Sequence, residues 1–110
     1  MVYQMNLAKE PFELIKSGYK VVEMRLCKPE REQIRSGDTI VFHSNDGQTL
    51  SVLVLYIDKD PSFEELYNHY DKKKLGYRDE ENANPNDMLI YYKKEEIEKL
   101  GVLAIEIQLL

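Results

Sequence analysis

The alternation of apolar and polar positions along the chain predicts a short succession of strands and helices. MVYQMNLA, with Val2, Met5 and Leu7 as its apolar members, reads as a first strand. KEPFELIKSG reads as a short helix. Pro11 suits its first turn, Phe12, Leu14 and Ile15 make its apolar face, and Gly18 stops it. KVVEMRLC is a second strand, and the polar KPEREQIRSGD is a helix of one or two turns, or a turn. TIVFHS and TLSVLVLYI flank NDGQ, and Asp46-Gly47 is a strong hairpin signal, so these two strands should pair. DPSFEELYNHY opens a further helix with Ser62 as N-cap and Glu65 completing a capping box. Its stripe of Phe63, Leu66, Tyr67 and Tyr70 reads as core. DKKKLGYRDEENANPND reads as an exposed loop anchored only by Leu75 and Tyr77. PNDMLIYYKKEEIEKLG is helical, broken near Tyr92 and capped at Asn86. Its buried side is Met88, Leu89, Tyr92, Ile97 and Leu100, and Gly101 ends it. VLAIEIQLL is apolar enough for the middle of a sheet. The order β-α-β-(α)-β-β-α-α-β suits a mixed sheet packed on helices or curled into a small barrel.

One stretch breaks the pattern. GYKVVEMR puts Lys20, Glu23 and Arg25 into an otherwise apolar strand. Ideal alternation places Lys20, Val22 and Met24 on one face and Tyr19, Val21, Glu23 and Arg25 on the other. Glu23 and Arg25 then share a face about 6.6 Å apart. Lys20 joins them only if a bulge or the start of the strand rotates it, and Gly18 makes room for such an irregularity. Two readings stand. The charges line a solvated edge strand, with a Glu–Arg pair worth under about 1 kcal/mol, or they converge on something.

Composition narrows the choice. The 110 residues suit one domain spanning 1–110, with a small but real core. No apolar run approaches the ~20 residues of a membrane span, and the N-terminus lacks the basic-then-apolar pattern of a signal peptide. The single Cys27 excludes an internal disulfide and a multi-cysteine zinc site. The expectation is a soluble, cytoplasmic protein, a monomer or weak homodimer, with no metal, no cofactor and no membrane partner. The net charge is −5, and it is carried entirely by residues 58–110. Such a chain does not bind a phosphate backbone non-specifically, so any nucleic-acid role rests on a local basic patch. Lys72, Lys73 and Lys74 are offset by Asp79, Glu80 and Glu81, and read as solvated charges.

The chain has no glycine-rich phosphate loop and no serine nucleophile elbow. His43 and His69 have no partners at metal-ligand spacing. Cys27 reads as a packing residue and His69 as structural, while His43 follows a strand core and could face a barrel mouth. Lys20, Glu23 and Arg25 remain, with eight tyrosines. Tyr3, Tyr19, Tyr56, Tyr91 and Tyr92 could stack on a base, or simply fill a small core. Tyr19 and Tyr92 are the candidates carried forward.

PFELIKSGYKVVEMRL, IRSGDTIVFHS, SFEELY and YYKKEEIEKLGVLAIEIQLL, in this order, resemble the ASCH domain family of the PUA-like superfamily. The most specific element is Gly-x-Lys-x-x-Glu-x-Arg at Gly18, Lys20, Glu23 and Arg25. The resemblance implies an α+β, mainly β fold: a small mixed PUA-like β-barrel of about five to six strands with flanking helices. It also implies a cleft at the barrel mouth where the motif meets RNA or a modified nucleoside or nucleotide. Lys20, Glu23, Arg25, Tyr19, Tyr92 and His43 are then the candidate binding residues. One small branch of the family resembles acetylcytidine amidohydrolases, and ribonuclease activity is attributed to some small members. On that alternative, Lys20 and Glu23 are the candidate catalytic residues of a metal-independent hydrolase. The position of that branch's catalytic threonine holds Glu23 here. Its downstream glutamate could be Glu64, Glu65, Glu80, Glu81, Glu95 or Glu96.

Overall fold

In the computed structural model, which describes residues 1–110, five strands form one sheet. The strands are β1 (Val2–Asn6), β2 (Val22–Leu26), β3 (Thr39–His43), β4 (Thr49–Asp60) and β5 (Val102–Leu109). The helices are α1 (Lys9–Lys16), α2 (Phe63–His69) and α3 (Lys94–Leu100), with 3₁₀ turns at Pro29–Arg31 and Pro85–Ile90. The sheet order is β1-β3-β4-β5-β2. Only β1 and β3 run parallel; every other pair is antiparallel. The sheet curls into a half-barrel, mainly β, with the helices against it. β1 and β2 are its two unpaired edges, so the barrel has a seam.

Curvature has a local cause. The β4–β5 register shifts between Val54 and Tyr56, a bulge that bends the long strand and inverts its inside–outside parity. Val52 and Val54 pack in one core cluster before it, and Ile57 packs against the same cluster after it. That cluster fills the curl with Met5, Leu7, Phe12, Ile15, Ile40, Phe42, Ile105 and Ile107. A second cluster joins the outer face of β2 and β5, through Val22, Met24, Leu26, Val102 and Ala104, to Phe63, Leu66, Leu75, Met88 and Ile97. β2 is therefore buried on both faces. The solvated-edge reading of its charges does not hold.

Several elements refine the sequence reading. The Lys28–Asp38 segment holds only the short turn at Pro29–Arg31. Ser62 accepts a hydrogen bond from the Glu65 backbone at 3.3 Å and caps α2 as expected, but no reciprocal bond comes back from the Glu65 side chain. Asn84, not Asn86, caps the Pro85–Ile90 turn, its side chain accepting from the Asn86 N–H at 2.9 Å. In that tighter turn Leu89 faces outward, while Met88 is buried. The 71–87 segment is docked rather than loose. Leu75 is buried, and the Lys74 carbonyl accepts from the N–H groups of Val21 and Val22, covering the start of edge strand β2.

Candidate functional site

Parity explains where the charges go. On β2, Val22, Met24 and Leu26 face outward to the helices, so Glu23 and Arg25 face the interior of the curl. Lys20 precedes the strand, in the turn leaving α1. There Gly18 takes φ +83°, and the N–H groups of Tyr19 and Lys20 both donate to the Leu14 carbonyl. This turn, not strand alternation, brings Lys20 round to Glu23. Gly76 makes room for its stem: a Cβ there would stand 3.2 Å from Lys20 Cδ.

The three side chains form a buried ionic triad. Lys20, Glu23 and Arg25 are only 8%, 3% and 9% exposed, so water does little to screen them. Lys20 Nζ lies 3.1 Å from Glu23 Oε1, and Arg25 Nε donates to Glu23 Oε2 at 2.8 Å. Arg25 Nη2 donates to the Asn6 carbonyl at 2.7 Å, tying edge strand β2 to the end of edge strand β1 across the seam. The guanidinium also stands 5.9 Å from the centre of the Phe42 ring. Burial alone would push the Glu23 carboxyl up. The Lys20 and Arg25 charges, each also hydrogen-bonded to it, outweigh burial and hold it below the usual carboxylate range.

The triad carries a net charge of +1 and has spare donors. A lysine ammonium has three N–H groups and a guanidinium has five. Lys20 uses one, on Glu23, while Arg25 uses two, on Glu23 and Asn6. All three residues line a hollow of about 130 Å³ at the seam, walled by Leu7, Pro11, Met88, Tyr91 and Tyr92. Tyr92 is held by stacking on Phe63, with ring centres 6.1 Å apart. Tyr91 is 51% exposed and forms the rim. Burial pushes both phenols up from their ordinary value, so both stay protonated at neutral pH. A larger groove of about 900 Å³ lies beside α1, but Glu10, Glu13, Glu80 and Glu81 dominate its wall, which repels phosphate.

Of the residues singled out in the sequence, Lys20, Glu23, Arg25 and Tyr92 line one hollow. Tyr19 and His43 do not. The Tyr19 hydroxyl donates to the Tyr77 carbonyl at 2.6 Å, and its ring lies under Arg78. His43 pairs in register with Asn6, and its Nε2 meets the Gln4 side chain. Tyr91, one of the tyrosines weighed for stacking but not carried forward, lines the hollow too, and sequence reasoning did not assign Met88 or the Asn6 carbonyl to the site. The Tyr91-Tyr92 doublet at the helix break was a usable signal; nothing local marked Asn6. Lys72 and Lys73 are spent on their own segment, with Lys72 donating to the Asp79 and Glu81 carbonyls and Lys73 paired to Asp79 at 3.0 Å.

A family model, the ASCH domain, matches residues 5–110. The chain belongs to the ASCH domain family. This PUA-like family is proposed to bind RNA. Among solved structures, the crystal structure of the hypothetical protein PH0355 is similar at 33% identity over the whole of both chains, with a TM-score of 0.84. The solution structure of protein PF0455 from Pyrococcus furiosus is also 33% identical, over all of this chain and 98% of that one, with a TM-score of 0.68. The crystal structure of ASCH from Zymomonas mobilis shares the fold at 15% identity, over 97% of this chain and 66% of its own, with a TM-score of 0.69. Among curated proteins, none matches this ASCH chain. No helix is long and apolar enough to cross a membrane.

Proposed function

We propose that this ASCH protein binds RNA or a nucleotide-like ligand in the seam hollow, through the spare donors of Lys20 and Arg25. One observation carries the reading: two buried cations, anchored by one carboxylate, keep unfilled donors at a small cavity with an aromatic wall. Unfilled donors in such a place favour an acceptor, either a phosphate oxygen or a base carbonyl. Tyr91 at the rim offers a face for stacking. At about 130 Å³ the hollow is below the ~300–1,000 Å³ of drug-sized sites. It suits one base or one phosphate, with the rest of the ligand outside.

The test is calorimetric titration with nucleosides, nucleotides and short single-stranded RNA at two salt concentrations. One or two phosphate contacts predict a log–log salt slope of about −0.7 to −1.4. Affinity should weaken in Tyr91→Ala and in Lys20→Met. Binding indifferent to both substitutions would refute the assignment.

The Lys20–Glu23 contact of 3.1 Å inside a hollow also favours a second reading, metal-independent hydrolysis of an acetylated nucleoside or of RNA. Glu23 is poorly suited to be its general base. Both carboxylate oxygens are engaged by cations, and a carboxyl held low is a weak proton acceptor. Lys20 would have to stabilise developing negative charge. Incubation with modified nucleosides and RNA, followed by mass spectrometry of wild type and Lys20→Met in parallel, decides. A Lys20-dependent mass change establishes hydrolysis; unchanged substrates at high protein concentration leave binding.

A further inference from the structure

A second polar cluster lies away from the seam. We propose that Asp58, Asp60 and His69 bind a divalent transition-metal cation. The bulge in β4 sets the geometry: beyond it Ile57 turns inward, and Asp58 and Asp60 share the opposite parity. The last turn of α2 presents His69 to them. One ligand atom from each of the three residues lies within 4.8 Å of the other two.

The state of Asp60 points to a ligand. It is only 5% exposed, yet its side chain has one partner, the imidazole Nδ1 of His69 at 3.2 Å from Oδ2. Its Oδ1 receives no hydrogen bond. Every side-chain oxygen fully shut off from solvent in this protein has a partner, so Oδ1 is reachable from outside. A carboxylate this buried is ordinarily matched by a cation or several N–H donors. Here no lysine or arginine pairs with Asp58, Asp60 or the nearby Glu106. A cation would supply the missing charge.

The donor set selects its kind. Two carboxylates with one imidazole suit Zn²⁺ or Mn²⁺ better than Mg²⁺ or Ca²⁺, which take oxygen. Metal–ligand bonds of about 2.1 Å require the three atoms to draw closer than they now stand. The side chain of His69 is 52% exposed and free to make that adjustment. Three protein ligands leave coordination positions for water. Bound metal would clamp the end of β4 to the end of α2.

The test is titration of the intact protein with Zn²⁺, Mn²⁺ and Mg²⁺, followed by calorimetry and thermal unfolding. The expected result is one Zn²⁺ per chain, with a higher Tm and with Mg²⁺ much weaker. His69→Ala and Asp58→Asn should each weaken binding at least about tenfold, while Glu80→Gln/Glu81→Gln leaves it unchanged. His69 and Asp58 are not core residues, so both variants should fold. Absence of binding, or binding equally weakened by the Glu80/Glu81 control, would overturn the site, as would Mg²⁺ binding as tightly as Zn²⁺.

Discussion

Glu23→Gln tests whether the ionic triad is as buried as its geometry indicates. Glu23 is the one anion between two cations, and both of its oxygens are engaged. Glutamine keeps the shape and one acceptor oxygen, but turns an NH₂ toward one cation. The variant leaves two positive charges close together in a site less than a tenth exposed. Removing one partner of a buried ion pair costs about 3–5 kcal/mol, mostly because the remaining charge is uncompensated. That is a large share of the ~5–15 kcal/mol that holds a typical domain together. At about 4 °C per kcal/mol for a chain near this size, Tm should fall by at least about 10 °C. Urea unfolding followed by circular dichroism measures the loss directly. A companion variant, Lys20→Met/Glu23→Gln/Arg25→Met, removes both unpaired charges and should recover most of it, since apolar replacements of buried ionic groups are often neutral or stabilising. A Glu23→Gln loss under about 1 kcal/mol, the range of exposed pairs, would refute the burial argument.

Three further outcomes follow from the same structure. Because the Glu23 carboxyl is held below its ordinary value of 4.5, its stabilisation is complete above that pH and is lost as pH falls through the lowered value. The stability gap between wild type and Glu23→Gln, measured by urea midpoints, should therefore narrow below 4.5; a gap independent of pH would contradict this. Tyr91→Ala, at a half-exposed rim, should change stability by less than about 0.5 kcal/mol yet cost about 1–3 kcal/mol of affinity if a base stacks there. Gly101→Ala should destabilise by about 1–2 kcal/mol, because φ is +75° and the new Cβ would lie 3.0 Å from the Asp60 carbonyl oxygen; unchanged unfolding would contradict the turn geometry.

Much of the fold was legible because the strands carry their burial in their sequence. β3 and β4 flank an Asp-Gly turn, and β5 is apolar on both faces, which predicted its interior place between β4 and β2. The charges at Lys20, Glu23 and Arg25 were conspicuous as a local exception to that pattern. Their convergence was not readable from alternation, because Lys20 lies in a turn fixed by Gly18, by bonds back to Leu14 at the end of α1 and by the docking of the Lys74 carbonyl on Val21 and Val22. The docking of Leu75 was likewise invisible, since one leucine in a polar stretch carries no period. The bulge at Leu55 hid the most: it shifts Asp58 and Asp60 to the face that meets His69, nine residues on from Asp60 and on another element. Spacing in sequence gave these three no reason to be grouped.

The most direct test of the seam as a ligand site needs no substitution. Backbone amide shifts of the labelled protein should be followed during titration with nucleosides, nucleotides and a short single-stranded RNA. Perturbations concentrated at Asn6–Ala8, Lys20–Arg25 and Met88–Tyr92, saturating with ligand, are the predicted result. Shifts that instead map to Lys72–Lys74, or that never rise above those caused by salt alone, would contradict the account.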